Sequence, residues 1–226
     1  MTDTIQSSSF TDSSEIVQEK TLSIIDLMTS GGMGGNIIMS VLGVLSIFAV
    51  YILIERISAL NKAKKRNPDF IIKINTLVNN NKFSEAISNC IEEDSTISRM
   101  IEKGLKRNGK PFNEIHSAIE NQGKLEVNKL EHNLTILATI SGAAPMIGFL
   151  GTVIGMILAF HDMASAGGNI DVEMLSKGIY TAMITTVAGL VVGIISYISY
   201  NFLLAKIDKI VFSMESDSSE YLDNLQ

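Results

Sequence analysis

Three long segments of the chain contain no aspartate, glutamate, lysine or arginine. They run over residues 27–54, 132–161 and 178–205, and each holds 28 to 30 residues. A helix rises about 1.5 Å per residue, so each segment reaches about 42 Å, more than the roughly 30 Å of a bilayer's hydrocarbon core. Buried helices of a soluble bundle usually carry a charged outer stripe, and these segments have none. The pattern therefore predicts an all-α integral membrane protein with three transmembrane helices.

Helical spacing of apolar residues continues outside these segments. Before the first span, Val17, Ile24, Ile25 and Met28 share one face, which predicts an amphipathic helix that stops at Gly31–Gly32. Such a helix is expected to lie flat on the outer membrane boundary. After the third span the spacing persists through residues 207–214, so that span is predicted to continue as a C-terminal helix.

The region between the first two spans is predicted to be a domain of short helices. Turn residues at Asn79–Asn81 and Gly109–Pro111 separate the segments DFIIKINTLV, FSEAISNCIEE and STISRMIEKGLKRNG. Pro111 suits the first turn of a further helix, because its missing N–H would have no partner there. The sequence contains no strong stop from Pro111 to the membrane, so one continuous helix is expected to run into the second span. Gly123 weakens this helix without ending it.

Charge predicts the orientation of the spans. Arg56 directly follows the first span, and Lys62, Lys64, Lys65 and Arg66 come soon after, whereas the other flanks hold few basic residues. The positive-inside rule then places the N-terminus outside and the domain between spans one and two in the cytoplasm. The acidic N-terminal flank is unlike a cleavable signal peptide, so the first span is expected to act as its own insertion signal.

Several other functions are disfavoured by composition and motifs. The net charge of -6 and the pI near 5.1 argue against a nucleic-acid partner, and Cys90 is the sole cysteine. The sequence has no Walker loop, GxSxG or HExxH motif, and His116, His132 and His161 share no metal-ligand spacing. We therefore expect no enzyme activity, no cofactor and no metal. The juxtamembrane basic cluster can contact anionic lipid, or it can simply fix the topology.

The polar content of the second and third spans is made of hydroxyl groups. A single threonine can bond to its own backbone in lipid, which gives it a purely structural explanation. A purely structural explanation is harder to apply to the whole group of threonines. Thr181 and Thr185 are four residues apart and share a face, and Thr152 lies near the middle of the other span. The hydroxyl residues are Thr135, Thr139, Ser141, Thr152, Thr181, Thr185, Thr186, Ser196 and Ser199.

Small residues in the same two spans predict close helix packing. GxxxG spacings allow helix backbones to approach each other, and Pro145 is expected to kink the second span near its cytoplasmic side. The residues concerned are Gly148, Gly151 and Gly155 with Pro145 in the second span, and Gly189 and Gly193 in the third.

These two spans resemble a known family. The stretches APMIGFLGTVIGMILAF and GIYTAMITTVAGLVVGIISYISYNFL are similar to the second and third spans of the ExbB/TolQ/MotA family, the proton-channel subunits of ion-driven membrane motors. The RISAL exit of span one and the FSEAI and IEKGL segments agree with the ExbB/TolQ branch, and the resemblance covers about residues 36–205. It implies a homo-pentamer whose second and third helices line a pore around two single-span helices of the ExbD/TolR type.

The resemblance assigns roles to particular residues. The family's pore threonines match Thr152 and Thr186, whereas Thr181 stands where many relatives carry a glutamate. Because no span contains a carboxylate, the proton-carrying acid is expected to come from an ExbD-like partner. Thr181 and Thr185 are further candidates for the proton pathway, and Glu55 and Arg56 are expected to contact the partner or lipid.

The resemblance also predicts the role of the whole chain. It implies an ExbB-like subunit in the bacterial inner membrane that, with ExbD-like and TonB-like partners, energises TonB-dependent outer-membrane transport. A TolQ-like subunit of the Tol-Pal system and a passive ring-forming scaffold are the alternatives. A MotA-type stator fits less well, because that branch resembles four-span proteins.

These expectations divide the chain into seven parts. They are a periplasmic segment with an amphipathic helix (1–35), transmembrane helix 1 (36–56), a cytoplasmic helical domain (57–131), transmembrane helix 2 (132–161), a periplasmic loop (162–176), transmembrane helix 3 (177–204) and a cytoplasmic C-terminal helix (205–226).

Overall fold

A computed structural model describes residues 32–63, 69–165 and 172–225, and every regular element in these ranges is an α-helix. The all-α prediction is therefore confirmed. The expected amphipathic helix before the first span, the basic residues 64–66 and most of the loop between the last two spans lie outside the described residues. The helices are α1 (Gly32–Ala63), α2 (Phe70–Asn79), α3 (Phe83–Glu93), α4 (Thr96–Leu105), α5 (Phe112–Leu130), α6 (Leu134–Ser165) and α7 (Val172–Asp223).

Three of the helices, α1, α6 and α7, are long and apolar enough to cross a membrane. Their outward-facing side chains are large and apolar: Ile47 is 74% exposed, Met146 73% and Ile198 63%. A soluble protein rarely exposes a contiguous apolar surface of this kind. These helices therefore present an apolar surface that suits contact with lipid.

Helix α7 is longer than any membrane requires. Its 52 residues extend about 78 Å, so its C-terminal half projects beyond the bilayer. Helices α2–α5 pack with this projection and with the end of α1, and we call this assembly (residues 57–63, 69–130 and 205–225) the extramembrane domain. Its core contains Leu60, Phe70, Ile74, Cys90, Ile97, Met100, Ile101, Leu105, Ile119, Ile207, Ile210, Met214 and Tyr221.

The short helices of this domain follow the predicted segments and turns. Helix α4 begins at a capping box in which Ser95 and Ser98 each accept a hydrogen bond from the other's backbone N–H. The corner before α5 contains Gly109 with φ +83°, a conformation that side chains disfavour. Pro111 lies immediately before the first residue of α5 rather than inside its first turn.

The expected continuous helix from Pro111 into the second span is wrong. Helix α5 ends at Leu130, a turn covers residues 131–133, and α6 begins at Leu134. Asn133 adopts a left-handed conformation with φ 65°, which asparagine tolerates better than most residues because its short polar side chain can bond locally. We call this break, residues 131–133, the elbow.

Candidate functional site

Helices α6 and α7 run antiparallel and touch through their backbones along a line that we call the seam (residues 141–159 and 178–193). The closest approach is between Gly148 and Gly189. A Cβ added to Gly148 would lie 2.7 Å from the Thr185 carbonyl oxygen, and one added to Gly189 would lie 2.6 Å from the Ala144 carbonyl oxygen. No side chain fits at either position, so both glycines permit the contact.

The seam extends in both directions from this point. A Cβ on Gly151 would overlap the Thr185 side chain, and one on Gly155 would lie 2.9 Å from the Ala182 Cβ. Further along, a Cβ added to Gly178 would lie 2.5 Å from the Ala159 Cβ. Sequence reasoning missed this last pair, although Ala159 follows Gly155 by four residues and so continues the small-residue spacing.

Pro145 lies inside α6, which remains helical across it. Its ring occupies the space opposite Gly193, where an added Cβ would lie 2.5 Å from the proline Cγ. Pro145 has no backbone N–H to donate to the Ser141 carbonyl. The oxygen of that carbonyl would lie 3.2 Å from the same added Cβ on Gly193. Pro145 is therefore part of the seam, and Gly193 provides room for it.

Three threonine hydroxyls meet at the centre of the seam. Thr152 of α6 donates to the Ala182 carbonyl at 3.0 Å, and Thr186 of α7 donates to the Gly148 carbonyl at 3.1 Å. The hydroxyls of Thr152 and Thr186 are also within hydrogen-bonding distance of each other, so either one can donate to the other instead of to its carbonyl. Thr185 is buried and lies within reach of both carbonyls, 2.7 Å from Ala182 and 3.2 Å from Gly148. We call Thr152, Thr185 and Thr186 the hydroxyl cluster.

The cluster has a crossed arrangement. Thr152 is four residues after Gly148 and Thr186 is four residues after Ala182, yet each hydroxyl reaches the carbonyl of the other helix. Each hydroxyl has one hydrogen to donate and two lone pairs that can accept. The three hydroxyls therefore have more possible acceptors within reach than they have hydrogens to donate. Alternative hydrogen-bond patterns can therefore interchange by hydroxyl rotation without moving the helices.

The structure separates Thr181 from this cluster. Its methyl group lies 3.6 Å from the position that a Cβ on Gly35 would occupy, so Thr181 packs towards α1. Thr181 and Thr185 were expected to share one face of the third span, but they contact different helices. Thr181 packs towards α1 and Thr185 packs against α6. The sequence did not identify Ala182 and Gly148 as partners, because they contribute backbone carbonyls rather than side chains.

Arg56 and Glu55 lie at the inner end of α1 beside the elbow. Arg56 is only 7% exposed and donates to the Lys129 carbonyl at 3.2 Å and to the Glu55 carboxylate at 2.5 Å. Asn133 of the elbow donates to the same carboxylate at 3.4 Å. Arg56 thus satisfies a carbonyl at the C-terminus of α5 and joins α1 to the elbow. Contact of these two residues with a partner or with lipid stays a prediction.

A second charged group, which sequence reasoning missed, lies in the extramembrane domain. Glu126 is 2% exposed and accepts hydrogen bonds from Arg99 at 2.7 Å, Gln122 at 2.8 Å and Lys129 at 2.8 Å. Burial alone would raise the pKa of Glu126, but the bonds from Arg99 and Lys129 and their positive charges outweigh it and hold the pKa below its ordinary value. No group of side chains suited to a metal ion occurs in the described residues.

The fold and the seam define a class of protein: a helical membrane protein whose closely packed last two spans enclose neutral hydroxyl groups. Comparison with known proteins is more specific. The profile of the MotA/TolQ/ExbB proton channel family matches residues 92–216, more than half of the chain and the whole seam. The chain therefore belongs to the MotA/TolQ/ExbB proton channel family.

Individual relatives support the ExbB/TolQ branch of that family. The chain is 28% identical to an ExbB homologue of Methanothermobacter thermautotrophicus, over 85% of this chain and 67% of that protein. It is 44% identical to the biopolymer transport protein ExbB of Helicobacter pylori, over 35% of this chain and 54% of that protein. It is also 33% identical to the Tol-Pal system protein TolQ of Haemophilus influenzae, over 43% of this chain and 41% of that protein. The chain is thus a membrane protein of ExbB/TolQ type, and its matches to the last two relatives span about half of their length.

Proposed function

We propose that the chain is the ExbB-like subunit of a proton-driven complex in the bacterial inner membrane, and that it acts as a proton-conducting subunit rather than an enzyme. The observation that carries this proposal is the hydroxyl cluster in the middle of the seam. Hydroxyls that can both donate and accept suit proton relay. Residues 178–205 and 134–160 contain no acid or base near the cluster, so these hydroxyls serve a neutral site.

The same absence of charge implies a partner. A group that takes up and releases a proton in mid-membrane is normally a carboxylate, and none is present in the three uncharged segments, residues 27–54, 132–161 and 178–205. An ExbD-like single-span helix held beside Thr152 and Thr186 would supply it. Moving one charge across 100 mV releases about 2.3 kcal/mol, so a few protons suffice to shift such a helix.

The remaining assignments belong to the same proposal. The N-terminus would face the periplasm and the extramembrane domain the cytoplasm, because the basic residues after α1 favour the inner side. Five copies would surround the partner helices, and a TonB-like protein would receive the energy for outer-membrane transport. The lengths of α1, α6 and α7 support the three crossings.

Proton flux in liposomes tests the proposal. The chain is reconstituted alone or with the single-span protein that co-purifies from native membranes, and uptake is followed with an internal pH dye under a potassium-diffusion potential. We expect flux only with the partner. Replacing both Thr152 and Thr186 by valine should reduce it at least tenfold, because valine keeps the shape but loses the hydroxyl.

Thr139→Val is the matched control. Thr139 lies on the same helix, is exposed and donates only to the Thr135 carbonyl of its own helix at 2.8 Å, so its loss should leave the flux unchanged. Full flux in the double variant would remove the hydroxyls from the pathway. Equal flux from the chain alone would show that no partner acid is needed.

A TolQ-like role is the second candidate, and the similarity to TolQ of Haemophilus influenzae favours it. The two roles differ in the protein that receives the energy. Co-purification of a TonB-type protein would support the first role, and co-purification of a TolA-type protein would support the second.

A passive scaffold is the third candidate. The glycine contacts of the seam join two helices of one chain and require only close packing, so they also suit a chain that conducts no protons. A partner-containing complex that assembles correctly but carries no proton flux would favour this role.

A further inference from the structure

A groove of about 640 Å³ lies between α5 and α7 in the extramembrane domain. Its floor is apolar and includes Met100, Ile119 and Met214, all of which are buried. Its rim carries the carboxylates Glu131 and Glu215, for which the described residues provide no ion-pair partner. The groove thus combines an apolar floor with free negative charge at its edge.

Other charges at the rim do not neutralise this character. Among the described residues, Lys124 is the one lysine that lines the groove, and it pairs with Glu120 at 2.7 Å. His116 is the remaining titratable group among those lining residues. The two unpaired glutamates therefore determine the net charge that an incoming segment meets.

The groove lies on the same face of α7 as the hydroxyl cluster. Val211, Glu215 and Leu222 follow Thr186 by 25, 29 and 36 residues in one unbroken helix. At 3.6 residues per turn these separations are about 7, 8 and 10 full turns. Within the membrane this face packs against α6 in the seam, and the groove begins at the elbow, where Glu131 lines it. A chain that leaves the membrane beside α6 and α7 therefore meets the groove.

We propose that this groove binds the basic cytoplasmic tail of the single-span partner. The inference rests on the proposed function, which places that partner's helix beside Thr186. A single-span protein with its N-terminus in the cytoplasm carries lysine and arginine in that tail by the positive-inside rule. Such a tail complements Glu131 and Glu215, and its apolar residues suit the floor.

The distances permit this contact. Glu215 lies ten residues beyond Ala205, the last residue of the uncharged third segment, which is about 15 Å along the helix. An extended chain covers about 3.3 Å per residue, so about five residues of tail reach Glu215. A tail of a dozen residues is long enough to pass the whole groove.

Cross-linking from a single introduced cysteine tests the proposal. Ser219 is exposed and lines the groove, so Ser219→Cys can be coupled through a thiol-to-amine cross-linker to a lysine of the tail in native membranes. Glu220→Cys is the matched control, since Glu220 is exposed but is not among the residues that line the groove. We expect Ser219→Cys to give at least fivefold more product, identified by mass spectrometry as the tail preceding the partner's span.

Charge neutralisation provides a second measurement. Glu131→Gln with Glu215→Gln should lower the yield severalfold, whereas Glu220→Gln should not, and added salt should reproduce the loss. The voltage-driven proton flux of the complex should persist in the glutamine variants, because both positions lie far from the hydroxyl cluster. Glu215 is about 44 Å from Thr186 along α7, and Glu131 lies before the start of α6, which is itself about 27 Å from Thr152. Persistent flux also shows that these variants fold and assemble.

Three results would overturn the inference. If the partner co-purifies and conducts protons but Ser219→Cys and Glu220→Cys give equal yields, the groove does not hold the tail while the proposed function stands. If the product joins two copies of this chain, the groove is an interface between subunits. If no single-span protein co-purifies, the proposed function fails and the inference fails with it.

Discussion

The seam and the extramembrane domain hold their helices together through different kinds of residue. The seam joins two helices through glycine backbones and neutral hydroxyls, with Gly148 against Gly189 at its centre. The extramembrane domain joins its helices through large apolar side chains and buries a charged group, Glu126, among three donors. Both regions bury polar atoms, but only the domain buries a charge.

The difference follows from the surrounding medium. Lipid tails are as apolar as leucine, so helices in a membrane gain little by burying apolar side chains and associate through close packing and hydrogen bonds. In water the burial of apolar area drives association, and a charge can be buried if it is fully paired. Under the proposed function, the charge at the hydroxyl cluster would come from another chain.

Filling the closest point of the seam should have the largest effect. Gly148→Ala places a methyl group 2.7 Å from a backbone oxygen of α7, and a backbone cannot move aside as a flexible side chain can. We expect a loss of about 1–3 kcal/mol or more in stability, the range found for overpacked cores. Thermal unfolding of the detergent-solubilised protein, followed by circular dichroism, measures it.

Gly142→Ala is the control on the same helix. A Cβ at Gly142 meets no atom within 4 Å, and alanine favours the helix. Its melting temperature should stay the same or rise. Equal melting temperatures for the two variants would mean that the seam does not depend on backbone contact.

Removing the buried charge should have an intermediate effect that depends on pH. The folded pKa of Glu126 lies below its ordinary value near 4.5, so its contribution to stability is present above that value and is lost as the pH falls through the folded pKa. Glu126→Gln should therefore be less stable than the parent at pH 7, by about 1–3 kcal/mol. The difference should shrink steadily below pH 4.5, as measured by chemical denaturation across the pH range.

Glu120→Gln is the exposed counterpart. Glu120 pairs with Lys124 on the surface of α5, where both side chains are more than half exposed, and such pairs contribute little. This variant should match the parent at every pH. If it lost as much stability as Glu126→Gln, burial would not be the source of the effect.

The sequence predicted the long helices better than their connections. An absence of charge over 28 or more residues determines a membrane span almost by itself, and the extension of α7 followed from continued apolar spacing. The elbow was missed because it depends on a single residue, Asn133, whose left-handed conformation is stabilised by tertiary contacts near Glu55. Local sequence does not reveal such support.

The candidate site divides in the same way. The spacing of small residues predicted the close contact of Gly148 with Gly189, and the family resemblance singled out Thr152 and Thr186, which the structure brings together. Their role in a pore stays a prediction. The carbonyls of Ala182 and Gly148 could not be predicted as acceptors, since the type of a residue does not indicate whether its backbone carbonyl accepts a side-chain hydrogen bond. The pairing of Arg99 with Glu126 was also hidden, because 27 residues and a helix boundary separate them.

The smallest expected effect tests whether the two regions are independent. Cys90 is 1% exposed in the extramembrane domain, and burial, together with the nearby charge of Glu102, raises the pKa of its thiol to about 12. Because the thiolate is the reactive form, a maleimide should label Cys90 only when the domain opens. If the seam and the domain unfold separately, Gly148→Ala should change this labelling rate less than twofold at a temperature where the seam has already loosened. A large acceleration would instead mean that α7, the helix common to both regions, transmits the loss of the seam to the domain, and the contrast between them would then be one of composition and not of stability.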